Sequence, residues 1–140
     1  MIKVRDKDDF EVFISVPGTQ TTGKKYVFVM PFAGWLKAVY SKLGTAGVTG
    51  SQTVDINDEG VTLFSSSRIV FSGSVVDPSV YGTLTTDPHF FSKGDFIDVS
   101  LDDVHSGTAA KDLSVVLVFS RKKPAGTIRG ALEVSVGKGL

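Results

Sequence analysis

The sequence predicts an all-β fold from three observations. Short runs alternate apolar and polar residues, turns bearing glycine or proline separate them, and no stretch carries an unambiguous helical stripe. Such a pattern calls for two packed sheets, as a sandwich or a barrel. Its clearest part is residues 44–64, GTAGVTGSQTVDINDEGVTLF. There Gln52, Val54 and Ile56 alternate with Thr53, Asp55 and Asn57, and Val61 and Leu63 alternate with Thr62 and Phe64. Between the two runs, Asn57, Asp58, Glu59 and Gly60 form a four-residue hairpin loop in which Gly60 supplies a positive φ.

Taken in order, residues 1–9 are charged and aperiodic, and residues 10–16 alternate as a strand that Pro17 and Gly18 end. A polar loop leads to residues 26–30, YVFVM, a strand apolar on both faces and therefore expected to be buried or covered by a partner. Residues 33–43 are ambiguous. Leu36, Val39, Tyr40 and Leu43 fit a helical stripe, whereas Trp35, Val39 and Leu43 opposite Leu36, Ala38 and Tyr40 fit a strand. The strand reading is favoured, because the neighbours are strands and no N-cap precedes the stretch.

Residues 68–71 are a short strand, and residues 73–88 a long loop of the kind that commonly carries binding. In residues 96–103, Ile97, Val99 and Leu101 lie on one face and Asp98, Ser100 and Asp102 on a wet one. Residues 113–120 are apolar enough for a central strand, and Ile128, Gly130, Leu132, Val134 and Val136 outline a last one. The core is expected to take Val54, Ile56, Leu63, Ile97, Val99, Leu101, Val115 and Leu117.

At 140 residues the chain fits one domain, 1–140, with a core that needs no staple. Fifteen basic and fifteen acidic residues cancel, so no general attraction to nucleic acid or to anionic membrane is expected. Cysteine is absent, which excludes disulfides and thiolate metal sites. Six charges in the first nine residues leave no apolar core for a secretory signal, and the longest apolar runs are far too short for a helical span. Synthesis in the cytoplasm is expected.

Near-motifs fail on the residue their chemistry needs. Residues 18–24 match GxxxxGK, but Lys25 replaces the hydroxyl that would hold magnesium and a strand follows, so a polar hairpin loop is expected. Asp55, Asn57, Glu59 and Gly60 resemble half of a calcium loop, yet Ser66 stands where the bidentate acid is required. His89 and His105 have no metal spacing, and Asp98, Asp102 and Asp103 read as a solvated strand face rather than paired catalytic carboxylates. No catalytic residue, metal ligand or cofactor loop is assigned. Arg121, Lys122 and Lys123 read as a solvated turn.

Several stretches in order carry a resemblance. They are the Trp-containing residues 34–43, the GTAGVTGSQTVDIN hairpin, residues 68–71, Lys93-Gly94-Asp95 with the Asp98 strand, and residues 112–117. Over residues 34–121 the chain resembles a β-sandwich domain recurrent in structural proteins of tailed bacteriophages, including head-decoration, head-fibre and tail-associated proteins. The resemblance implies a single antiparallel, jelly-roll-like sandwich of eight or nine strands and a non-enzymatic virion component, without cofactor. A capsid decoration or head-fibre protein is expected, with a receptor-binding tip for host glycans as the alternative and a glycan-active enzyme or carbohydrate-binding module behind it.

Residues outside the resemblance then hold what is particular to this chain: an N-terminal arm in residues 1–9 and an extra C-terminal strand in residues 122–140. Expected partners are the chain itself, as a homotrimer, and a major capsid or other virion protein. The expected contact residues are Met1, Ile2, Lys3, Val4 and Arg5 in the arm, and His89, Phe90 and Phe91 at the end of the long loop.

Overall fold

Every regular element is a strand in the computed structural model, which describes residues 7–131. In chain order these are β1 (Asp9–Thr19), β2 (Gly23–Val29), β3 (Gly34–Thr45), β4 (Ser51–Asp58), β5 (Val61–Thr62), β6 (Ile69–Ser72), β7 (Val80–Tyr81), β8 (Phe90–Phe91), β9 (Phe96–Asp103), β10 (Lys111–Ser120) and β11 (Ile128–Ala131). The first sheet runs β1-β10-β3-β11, with β8 also on β3; the second runs β2-β9-β4-β6-β7, with β5 also on β4. The two pack face to face, as Phe28 of the second sheet meeting Phe119 of the first at 6.1 Å illustrates. All eight residues expected in the core are buried.

The described chain has eleven strands rather than eight or nine, because three two-residue ladders add to the count. It is also not wholly antiparallel. β11 runs parallel to β3, Ile128 beside Ala38 through Ala131 beside Ser41. Two hydrogen bonds hold its start, from the Thr127 amide to Asp87 Oδ1 (2.7 Å) and from Thr127 Oγ1 to the Leu36 carbonyl (2.6 Å).

Residues 33–43 form a strand, and a bulge explains their ambiguity. Phe119 pairs with Leu36 and Val118 with Ala38, leaving Lys37 as the extra residue. The extra residue reverses the side-chain phase, so Leu36, Val39 and Leu43 all face the core with helix-like spacing. Similar shifts act elsewhere. β1 runs through Pro17 and Gly18 to Thr19 with an irregular register, so proline does not end it. The hairpin loop is two residues long, since Asp58 pairs with Val61. Glu59 and Gly60 both have positive φ, 51° and 82°, as the tight primed turn requires.

Other local expectations are revised by topology. Residues 20–22 carry the chain from the first sheet to the second instead of closing a hairpin, because β1 pairs with β10 and β2 with β9. Buried Gln20 fastens this crossing through Val16, Gly18 and Gln52. In β2 only Tyr26 and Phe28 pack on the core, while Val27 and Val29 are exposed. The 73–88 loop is not free: it contains β7, donates the Ser79 amide to Val70, and accepts the Leu43 amide on the Val76 carbonyl at 2.8 Å.

Candidate interaction surface

Each sheet has an outer face, and the two differ in chemistry. On the first sheet the register aligns Phe13, Val116, Tyr40 and Gly130 in one row, and Glu11, Val118, Ala38 and Ile128 in the next. Alternation turns Ile14, Val115, Val39 and Leu117 inward, so these rows face out. Phe13 is 59% exposed and Ile128 58%, and they flank Val116 and Ala38, each 4% exposed. Apolar residues thus meet water at the two edge strands of one face, while its centre is buried.

The same face continues past the bulge to Trp35, whose ring lies 5.0 Å from that of exposed Phe90. Nearby, the Arg121 guanidinium sits over the Phe32 ring at 3.8 Å. Salt bridges bound the patch: Lys37 Nζ to Asp9 Oδ2 at 2.7 Å, and Lys42 Nζ to Asp77 Oδ1 at 2.9 Å.

The outer face of the second sheet mixes paired polar side chains with exposed Val27, Val29 and Phe96; of the residues expected on a solvated row, Asp98 is buried whereas Asp102 and Asp103 are exposed. Asp98 is only 3% exposed and Asp55 only 5%. Asp98 Oδ1 accepts from Asn57 Nδ2 and Ser100 Oγ, both at 2.8 Å, with Lys24 Nζ at 3.9 Å from Oδ2. Asp55 accepts from Thr62 Oγ1, and Arg68 Nε lies 3.1 Å from Asp55 and 3.0 Å from Asp102. Asp102 reaches this position because it is the extra residue where Thr53 pairs with Asp103 but Val54 with Leu101. Burial, then the charge of Asp55, holds the Asp102 carboxyl above the usual range, with Arg68 opposing. Arg68 and Lys24 thus sit among three carboxylates of the same subunit.

The expected contact residues separate. Phe90 is exposed on the face just described, but Phe91 is fully buried against Phe119 at 5.3 Å and is removed from the contact set. The two-residue alternation that exposes Phe90 necessarily turns Phe91 inward. His89 is spent on a clasp between the sheets, with Nε2 2.8 Å from Asp58 Oδ2 and its ring 4.6 Å from Phe91. Burial raises the Asp58 carboxyl above its ordinary range, His89 opposes this, and sharing with Asp95 adds to it. Met1, Ile2, Lys3, Val4 and Arg5 lie outside the described residues. The expected arm is shortened at its other end, because Asp9 opens β1 and the Asp8 carbonyl accepts the Arg121 amide at 2.9 Å.

Phe13 and Ile128 were missed by sequence reasoning. The available signal was an aromatic in the polar phase of residues 10–16, where Glu11 and Ser15 share its parity. Among the described residues no three metal-ligating side chains cluster, and no helix is long and apolar enough to cross a membrane. Comparison with protein-family models, curated proteins and solved structures finds no match to this chain.

Proposed function

We propose that this chain is a non-enzymatic structural component of a tailed-bacteriophage virion, made in the host cytoplasm and attached to the particle as a capsid decoration or head-fibre protein. The carrying observation is the apolar outer face of the first sheet, with Phe13 and Ile128 exposed around Val116 and Ala38. A face of this kind gains by covering, and a protein whose purpose is to sit on a particle needs one.

The strand order supports the jelly-roll form of the reading. With β11 and the two-residue β5 and β7 set aside, the sheets read β1-β10-β3-β8 and β2-β9-β4-β6. An order of this kind is consistent with the two four-stranded sheets of a jelly roll, the form viral capsid domains use. Lectins and cupins share that architecture, so the function is argued from the surface and not from the fold. The 73–88 loop, which a glycan-binding tip would use, is tied down by Ser79, Val76 and the Asp87 contacts to Thr127 and Arg129. Sedimentation of the purified protein with undecorated capsids tests the proposal. Saturable co-sedimentation that Phe13→Ser weakens at least tenfold is expected; no binding, or equal binding by the variant, would overturn it.

A further inference from the structure

We infer that β2 is a pairing edge for a second copy of this chain. Two copies lay their β2 strands side by side, antiparallel about a two-fold axis at Val27, so that their second sheets join. The inference goes beyond the virion reading and does not depend on it. Three observations carry it.

First, β2 presents backbone groups outward. It ends the strand order of the second sheet, and among the described residues no strand pairs with its far side. The Met30 amide donates to the Asp95 carbonyl, next to β9, at 2.9 Å. Bonding alternates along an antiparallel ladder, so Phe28 and Tyr26 bond β9 as well, while the amides and carbonyls of Val27 and Val29 point to the far side. A row of such groups is a template for another strand.

Second, β2 is more apolar than one copy covers. On the outer face Val27 is 45% exposed and Val29 56%, with Phe96 beside Val29 at 42%. On the inner face, Tyr26 and Phe28 are only partly buried against the core. One added strand covers both faces, because successive side chains alternate between them.

Third, charge selects a second copy and the direction in which it pairs. β2 opens with Lys24 and Lys25 and carries no charge from Tyr26 to Val29. Its other end lies beside acids. Asp95 meets Met30 across the ladder, and Glu59 Oε2 accepts the Phe96 amide, against one lysine in the adjoining turn, Lys93. An edge that is basic at one end and acidic at the other complements itself when turned about a two-fold axis. With Val27 beside Val27, Lys25 of each copy falls beside Val29 of the other and Lys24 beside Met30, towards those acids, and Tyr26 meets Phe28 on the inner face. Parallel pairing in register would set the lysines of both copies against one another. Because both copies use the same patch, the contact closes at two, so this edge gives a dimer where a homotrimer was expected.

Light scattering of the full chain at micromolar concentration should give twice the monomer mass. Two substitutions should each halve it: Val27→Pro, which removes an outward amide and leaves the β9 ladder intact, and Val27→Lys, which sets two lysines against each other at the axis. Amide exchange of the unaltered protein reads the same edge without relying on the folding of a variant. The Val27 and Val29 amides should exchange about a hundredfold more slowly than unpaired amides. A monomer or trimer mass, a dimer mass that both substitutions leave unchanged, or unprotected Val27 and Val29 amides would each overturn the inference.

Discussion

The outer faces of the two sheets are built on the same alternation yet reach water differently. On the second sheet, buried Asp55 is met by Thr62 and Arg68 and buried Asp98 by Asn57, Ser100 and Lys24, while Asp102, beside Arg68, is exposed. On the first, Phe13 and Ile128 are exposed at the two edge strands, while Val116 and Ala38 between them are buried. A face that answers its own charges is finished as it stands, whereas an apolar face is completed by something else. On the proposed reading contact falls on the first sheet, at Phe13 and Ile128, even though Val27, Val29 and Phe96 are exposed on the second.

The largest expected effect lies beneath both faces. Val99 is fully buried at the centre of the second sheet. Val99→Asp places an unpaired charge there, costing several kcal/mol against a total stability of about 5–15 kcal/mol. It should abolish the cooperative thermal transition; a normal melt would break the shared-core premise.

Next comes the polar face. Arg68→Leu leaves the buried Asp55 facing Asp102 without its cation. Because Arg68 is a third exposed, solvent screens part of the loss, and about 2–3 kcal/mol is expected by urea unfolding. The penalty should shrink as pH falls, since protonation removes the repulsion between the two carboxylates. A penalty independent of pH would mean that packing, not charge, holds this face.

A smaller effect is expected at the strand that closes the apolar face. Burial would raise the Asp87 carboxyl, but the Thr127 amide and the Arg129 guanidinium outweigh it and hold it below its ordinary range. A depressed folded pKa contributes stability above the unfolded value of about 3.9, and this is lost as pH falls through the folded value. Asp87→Ala should therefore cost about 1 kcal/mol at neutral pH, after discounting for exposure, and lose less than wild type on acidification below about pH 4. Equal acid sensitivity in both proteins would remove Asp87 as the anchor of β11.

The smallest effect on stability should come from Phe13→Ser. A mostly exposed side chain on an outer face contributes within about 0.5 kcal/mol to the isolated subunit, so its melting temperature should hardly move while association is lost. Destabilisation by several kcal/mol would place Phe13 in the core.

Much of the fold was legible in the sequence because alternation survives wherever strands are regular. β9 has the bounds read from residues 96–103, and every residue expected in the core is buried. What was hidden depends on bulges, which reverse phase without marking the sequence. Lys37 made β3 look half helical, and the extra residue in β9 sent Asp102 to Arg68, 34 positions away in the chain. Asp98 read as solvent-facing because Asn57 and Lys24 reach it from neighbouring strands. The parallel addition of β11 was equally invisible, since residues 128–131 alternate alike in either direction. Of the contact surface, Phe90 was legible from its place after the long loop, while Phe13 needed the register that sets it beside Val116.

Amide hydrogen exchange of the full-length protein, free at submicromolar concentration and bound to undecorated capsids, tests the difference between the faces most directly. Exchange should slow in β1 and β11 on binding and stay unchanged in β2 and β6. Slowing over β2 and β6 instead, or in no strand at all, would contradict the assignment of contact to the first sheet.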